Sequence, residues 1–309
     1  MWRKLFTLLA LTAALSSAQA ASINVLWYTY AHPLSQYRDV TGIHEIANLA
    51  PTYPQGSGLE WNLTFFDNDS ATPDFSAYDV LVTESGEAFR TNAPGGPRAT
   101  PDYEAILNNK TAISAARGDR TIISGTDADF HSIRGDTGLC VPFAGCGLWD
   151  GARGYLVNMV NWAASGNGLG IVALLDGDFP ALADRWWVQP DSFLHDELAG
   201  RVQYFTDNTP IISDEAAAYP LNNGLSSLGL SQWRNSFHAG FIDVPGYTGT
   251  VYSTRRPGVP LTNATTAFVT SPTSPVPLPP VVYSFFLALF LLLTRYWRSP
   301  RAQSRINTA

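Results

Sequence analysis

Cysteine is almost missing from this 309-residue chain: only Cys140 and Cys146 occur, separated by Val-Pro-Phe-Ala-Gly. With no second Cys or His pair at ligand spacing beside them, a thiolate zinc site is disfavoured, and histidines number only 5. Outside the cytoplasm, such a close pair most simply closes a small loop as a disulfide; the alternative is a reactive thiol pair. Also absent are internal repeats, a Gly-x-Ser-x-Gly elbow, a phosphate-binding glycine loop and a dinucleotide fingerprint, which removes the commonest sequence routes to hydrolase and nucleotide chemistry.

The two ends carry the clearest patterns. Arg3 and Lys4 precede an apolar run from Leu5 to Leu15, and Ala18-Gln19-Ala20 offers small residues at a cleavage site. Residues 1–20 therefore read as a secretory signal peptide, with the mature chain beginning at about Ala21. Near the other end, Val281 to Thr294 is apolar without a charge and is followed by Arg295, Arg298, Arg301 and Arg305. This predicts a C-terminal transmembrane helix over part of 281–309 with an arginine-rich cytoplasmic tail. As a helix those 14 residues cover about 21 Å, against roughly 30 Å of hydrocarbon, so the span is thin or borrows residues 276–280.

Charge separates the ends from the body. Residues 21–280 keep 13 of the 19 basic residues and all 26 acids, a net charge of −13. So acidic a body argues against nucleic acid or anionic lipid as a partner and leaves cations, neutral polymers or basic surfaces.

Within the body, strand-like and helix-like stretches alternate, the pattern of a parallel sheet covered by helices. Strands are expected at 23–28, 63–66, 78–82, 121–124 and 171–175. Helices are expected at 37–49, 102–117 (stopped by Gly118) and 153–164, where Leu156, Met159, Val160 and Ala163 share one face. After Pro190 the chain turns to aromatics and short extended pieces, and Gly240 to Ser253 reads as strand, turn, strand at an antiparallel edge. The expected organisation is a signal peptide at 1–20, an α/β domain with a small C-terminal β-rich extension at 21–256, a Pro/Thr/Ser-rich linker at 257–280 and an anchor at 281–309.

Nearly every expected strand runs into acid at its C-terminal end: Asp67 and Asp69, Glu84, Asp127 and Asp129 with His131, then Asp176 and Asp178. In an open parallel sheet those ends share one edge, where α/β folds bind ligands. Two readings fit. Asp at strand ends builds turns and caps helices. Alternatively, the carboxylates converge on a hard cation such as Ca²⁺ or Mg²⁺, which takes oxygen ligands. If residues 125–131 stay extended, Asp127, Asp129 and His131 fall on one side. A second cluster, Leu230 to Phe241, carries Trp233 and His238 within reach of the same edge, and Trp186-Trp187 would suit sugar stacking or core packing.

Two resemblances follow from these residues. The proline motif Val276-Pro277-Leu278-Pro279, the apolar run and the basic tail together resemble the PEP-CTERM sorting signals, in their Val-Pro-Leu-Pro-Ala variant, with Pro280 in place of the alanine. This implies an exosortase-like membrane protease as a partner, a cell-surface location and an association with extracellular polysaccharide. The strand order and the segment from Thr121 to His131 resemble the flavodoxin-like open sheet of the class I glutamine amidotransferase-like fold, including ThuA-like proteins. In amidotransferases a cysteine stands at the strand-to-helix elbow; here the turn is Gly125-Thr126-Asp127-Ala128, so the glutaminase chemistry does not carry over. Two functions remain: a surface module that binds a glycan, a cation or an envelope polymer without turnover, and a metal-assisted hydrolase of carbohydrate or envelope substrates with His131 or His238 as base.

Overall fold

The computed structural model describes residues 21–29, 40–52, 59–85, 103–134, 150–175, 185–231 and 237–266. All belong to one unit spanning residues 21–272. The expected signal peptide, anchor and tail lie outside the described residues, as do Cys140, Cys146 and residues 276–279. No helix among the described residues is long and apolar enough to cross a membrane.

Five parallel strands form the centre: β1 Ala21–Tyr28, β2 Leu59–Phe66, β3 Val80–Thr83, β4 Arg117–Ser124 and β5 Leu169–Leu174. Val25 to Tyr28, all of β3 and all of β5 are buried, because an inner strand of a parallel sheet has helices against both faces and reads as a continuous apolar run. At the edge, β2 alternates instead, with Trp61 and Phe66 buried and Glu60 and Asn62 exposed.

Helices α1 Val40–Leu49, α2 Glu104–Asn108, α3 Lys110–Ala116, α4 Ala128–Arg134 and α5 Asp150–Ala164 connect these strands. Side chains alternate across each strand, so Val25, Trp27, Val80, Val82 and Val172 pack with Ile43, Ile46, Leu156 and Val160 on one face. Leu26, Tyr28, Leu81, Ile123 and Ile171 pack with Ile106, Leu107 and Ile113 on the other. Crossover handedness explains the division. The steps from β1 to β2 and from β4 to β5 run one way across the sheet, and the step from β3 to β4 runs the other.

The result is a mixed α/β architecture with a largely parallel central sheet, ordered β2-β1-β3-β5-β4-β9-β8. Its last two strands, β8 Tyr247–Tyr252 and β9 Pro260–Thr265, are antiparallel; β9 pairs with β4 through Ile122↔Ala264 and Ser124↔Thr262. A separate two-stranded sheet joins β6 Val202–Asp207 to β7 Phe237–Phe241.

Several expectations change. The domain does not end at residue 256: β9 lies inside the expected linker, with Leu261, Thr262, Asn263 and Ala264 buried. Its sequence, Pro-Leu-Thr-Asn-Ala-Thr, carries little strand signal, and pairing with β4 supplies what the local sequence lacks. The strands within residues 240–253 do not form one hairpin, since β7 pairs with β6 and β8 with β9. The expected helix 102–117 is two short helices that meet at Asn109, and Gly118 lies inside β4, where a Cβ would sit 1.7 Å from the carbonyl oxygen of Asn167. Close approach to the chain entering β5, rather than a helix stop, requires that glycine.

Candidate acid–base site

β4 delivers the site. Thr121 to Ser124 are fully buried, and the chain leaves the strand through Gly125. The N–H of Gly125 donates to Leu261 O at 2.9 Å, and its carbonyl accepts from the N–H groups of His238 at 2.6 Å and Ala239 at 3.3 Å. A Cβ on residue 125 would stand 2.0 Å from Ala239 O and 2.6 Å from its carbonyl carbon. Only glycine lets β7 approach so closely, and that approach carries His238 to the carboxyl end of the parallel sheet. Thr126 then bridges Phe237, and Asp127 opens α4 by accepting the His131 N–H at 3.1 Å.

Below this turn, β4, β9 and α5 are joined by hydroxyls. Ser124 Oγ and Thr262 Oγ1 are 2.6 Å apart, and the Tyr155 hydroxyl bonds to Thr262 Oγ1. Burial pushes the Tyr155 phenol up to about 12, so it stays protonated and serves as a neutral tie. Its ring packs on Phe237, with centroids 6.1 Å apart.

At the centre Asp127 stands between two imidazoles. His131 Nε2 is 3.2 Å from Asp127 Oδ1, and His238 Nε2 is 3.5 Å from Asp127 Oδ2. All three side chains are buried. Burial alone would raise the Asp127 pKa, but the nearby imidazoles of His131 and then His238 outweigh it and hold the carboxyl well below the usual carboxylate range. One anion is therefore shared by two histidines, one a helical turn away and the other more than a hundred residues on.

Asp129 belongs elsewhere. Residues 128–134 are helical, so Asp129 and His131 lie about 200° apart around the axis. The expectation that an extended segment puts Asp127, Asp129 and His131 on one side is thus overturned: Asp127 and His131 meet at helical spacing, and Asp129 turns to β3. Its Oδ1 accepts the Ser85 hydroxyl at 2.6 Å and its Oδ2 the Ser85 N–H at 2.9 Å. Ser85 is the residue that strand-end acids alone do not reveal; its signal is a Ser-Gly pair just past a buried strand. Glu84, beside it, is buried, and its carbonyl accepts from the Tyr103 hydroxyl at 2.9 Å.

The remaining expected residues separate. Asp67 builds a turn, accepting from Asp69 N at 3.0 Å and Ser70 Oγ at 2.8 Å. Among the described residues, no three His, Cys, Asp or Glu side chains are grouped to hold a metal ion. Asp176, Asp178 and Trp233 lie outside the described residues. Trp186 and Trp187 are each 1 % exposed. Trp186 stacks on Tyr103 at 5.5 Å and meets Trp187 edge-on, so both are core residues and the sugar-stacking reading falls.

In comparisons with protein-family models, curated proteins and solved structures, none matches this chain.

Proposed function

We propose that this chain is an exported protein held at the cell envelope by its C-terminal segment, and that its α/β domain carries an acid–base site for a neutral carbohydrate or related envelope polymer. The observation that carries the reading is the Asp127 carboxylate set between His131 and His238 at the carboxyl edge of a parallel sheet. A buried carboxylate beside an imidazole orients the ring and stabilises the imidazolium that forms when the ring takes a proton. With two imidazoles on one carboxylate, one can draw the proton from an attacking water while the other, charged, returns one to the leaving group. The turn offers Thr126 and Asp127 where an amidotransferase has cysteine, so the chemistry proposed is direct attack by water rather than a thioester route.

The sheet is read as a variant of the flavodoxin-like, glutamine amidotransferase-like arrangement. It keeps the 2-1-3 beginning but places β5 between β3 and β4, where that fold runs 2-1-3-4-5. Export rests on residues 1–20, and sorting by an exosortase-like protease on Val276 to Pro279 with the run and arginines that follow. A body charge of −13 repels polyanions, which favours a neutral polymer.

A binding module without turnover is the second reading, favoured by the burial of both imidazoles. The two separate on the full-length protein in detergent, incubated with neutral polysaccharides and assayed for new reducing ends, with and without Ca²⁺, Mg²⁺ or EDTA. We expect turnover that falls by about 100-fold or more in His131→Gln and in His238→Gln, and the EDTA arm reports whether a cation takes part. Polysaccharide binding without turnover would replace the acid–base reading with the binding one.

A further inference from the structure

Asp129 is buried within the same turn as Asp127, yet both its oxygens are committed to Ser85. Ser85 follows β3, and β3 is not a neighbour of β4. Thr83 pairs with Ala173 and Ser124 with Leu174, so β5 lies between them. The Ser85–Asp129 bonds therefore reach across the end of β5, over two strand spacings of roughly 4.8 Å each.

α4 depends on tertiary contacts, of which the Asp129–Ser85 pair is one alongside the bond from Arg153 Nε to Ser132 O at 3.3 Å. It has seven residues, and isolated helices shorter than about 12 residues are marginal in water. One side of it, Ala128, is buried in the core; the Asp129 side is drawn to β3, and the His131 side meets Asp127. Fixing Asp129 fixes the rotation of the helix about its axis and so the direction of His131. His238 is set by different bonds, those of its own strand to Gly125.

We propose that Ser85 and Asp129 form a positioning clamp that holds the His131 imidazole on Asp127 and leaves His238 independent. The consequence of the clamp for turnover rests on the acid–base reading above; its existence does not.

The test needs no substrate. Full-length protein in detergent is treated with diethyl pyrocarbonate, and carbethoxylation of each histidine is followed by peptide mass spectrometry, with exposed His44 as the internal standard. In the wild type His131 and His238 both react slowly. Losing a hydrogen bond to the buried carboxylate raises the open population, so in Ser85→Ala and Asp129→Asn His131 reacts about tenfold faster while His238 stays within about twofold. Ser85→Thr, which keeps the hydroxyl, restores the slow rate. An unchanged His131 rate in both variants overturns the clamp, and so does a joint rise of His131 and His238, which would mark general loosening. Fast labelling of His131 in the wild type would remove the buried pair itself, and the clamp with it.

Discussion

Gly125→Ala tests the geometry that builds the site. The added methyl carbon would sit 2.0 Å from Ala239 O, 2.6 Å from its carbonyl carbon and 2.9 Å from its Cα. All three are backbone atoms, so no side chain can swing aside, and ordinary contact requires β7 to retreat by more than 1 Å. Overpacking of this kind costs about 1–3 kcal/mol. Retreat also breaks the bonds from His238 N and Ala239 N to Gly125 O, at about 1 kcal/mol each, for a total of about 3–5 kcal/mol. Because β7 carries His238, the same movement draws Nε2 away from Asp127, while His131, on α4, keeps its place. Urea unfolding of the purified protein, read by tryptophan fluorescence, gives the stability change, and histidine labelling reports the site. The expected result is a loss of about 3–5 kcal/mol with His238 deprotected before His131. A change below about 0.5 kcal/mol, with His238 still protected, would refute the close approach.

Asp127→Asn removes the buried carboxylate that His131 and His238 flank, and removing one partner of a buried polar contact costs about 1–3 kcal/mol. The folded Asp127 pKa is depressed, so the contribution is complete above the unfolded value of about 3.9 and is lost as pH falls through the lower folded value. Unfolding curves at pH 5 and 3 should show a stability gap between wild type and variant at pH 5 that narrows at pH 3; a gap that persists unchanged would mean the carboxylate charge is not what stabilises the turn. Deleting residues 276–309, which leaves β9 whole, should release the protein into the medium, and continued sedimentation with membranes would show that this segment is not the tether.

How far these features could be read from sequence depends on the range of the interactions behind them. β3 and β5 are legible as apolar runs because inner parallel strands are buried on both faces, and α5 because Leu156, Met159, Val160 and Ala163 recur at helical spacing. β9 is not, because Thr262 and Asn263 are buried only through partners on β4 and β8. The segment from Asp127 to His131 misleads for a related reason. Its Asp-x-Asp-x-His alternation suits a strand, and the helix becomes visible only once Ala128 is packed in the core and Asp129 is bonded to Ser85.

By itself the sequence determined the alternation of strands and helices and the acids at strand ends, since both are local patterns of polarity and backbone preference. The apolar runs at residues 5–15 and 281–294 are local patterns of the same kind. Tertiary structure decided the strand order, the extension of the domain through Thr265, and the meeting of His238 with Asp127. That meeting joins residues 111 positions apart and depends on the missing side chain of Gly125. No local pattern records such a contact, because what makes it possible is the space a glycine leaves between two strands that the fold brings together.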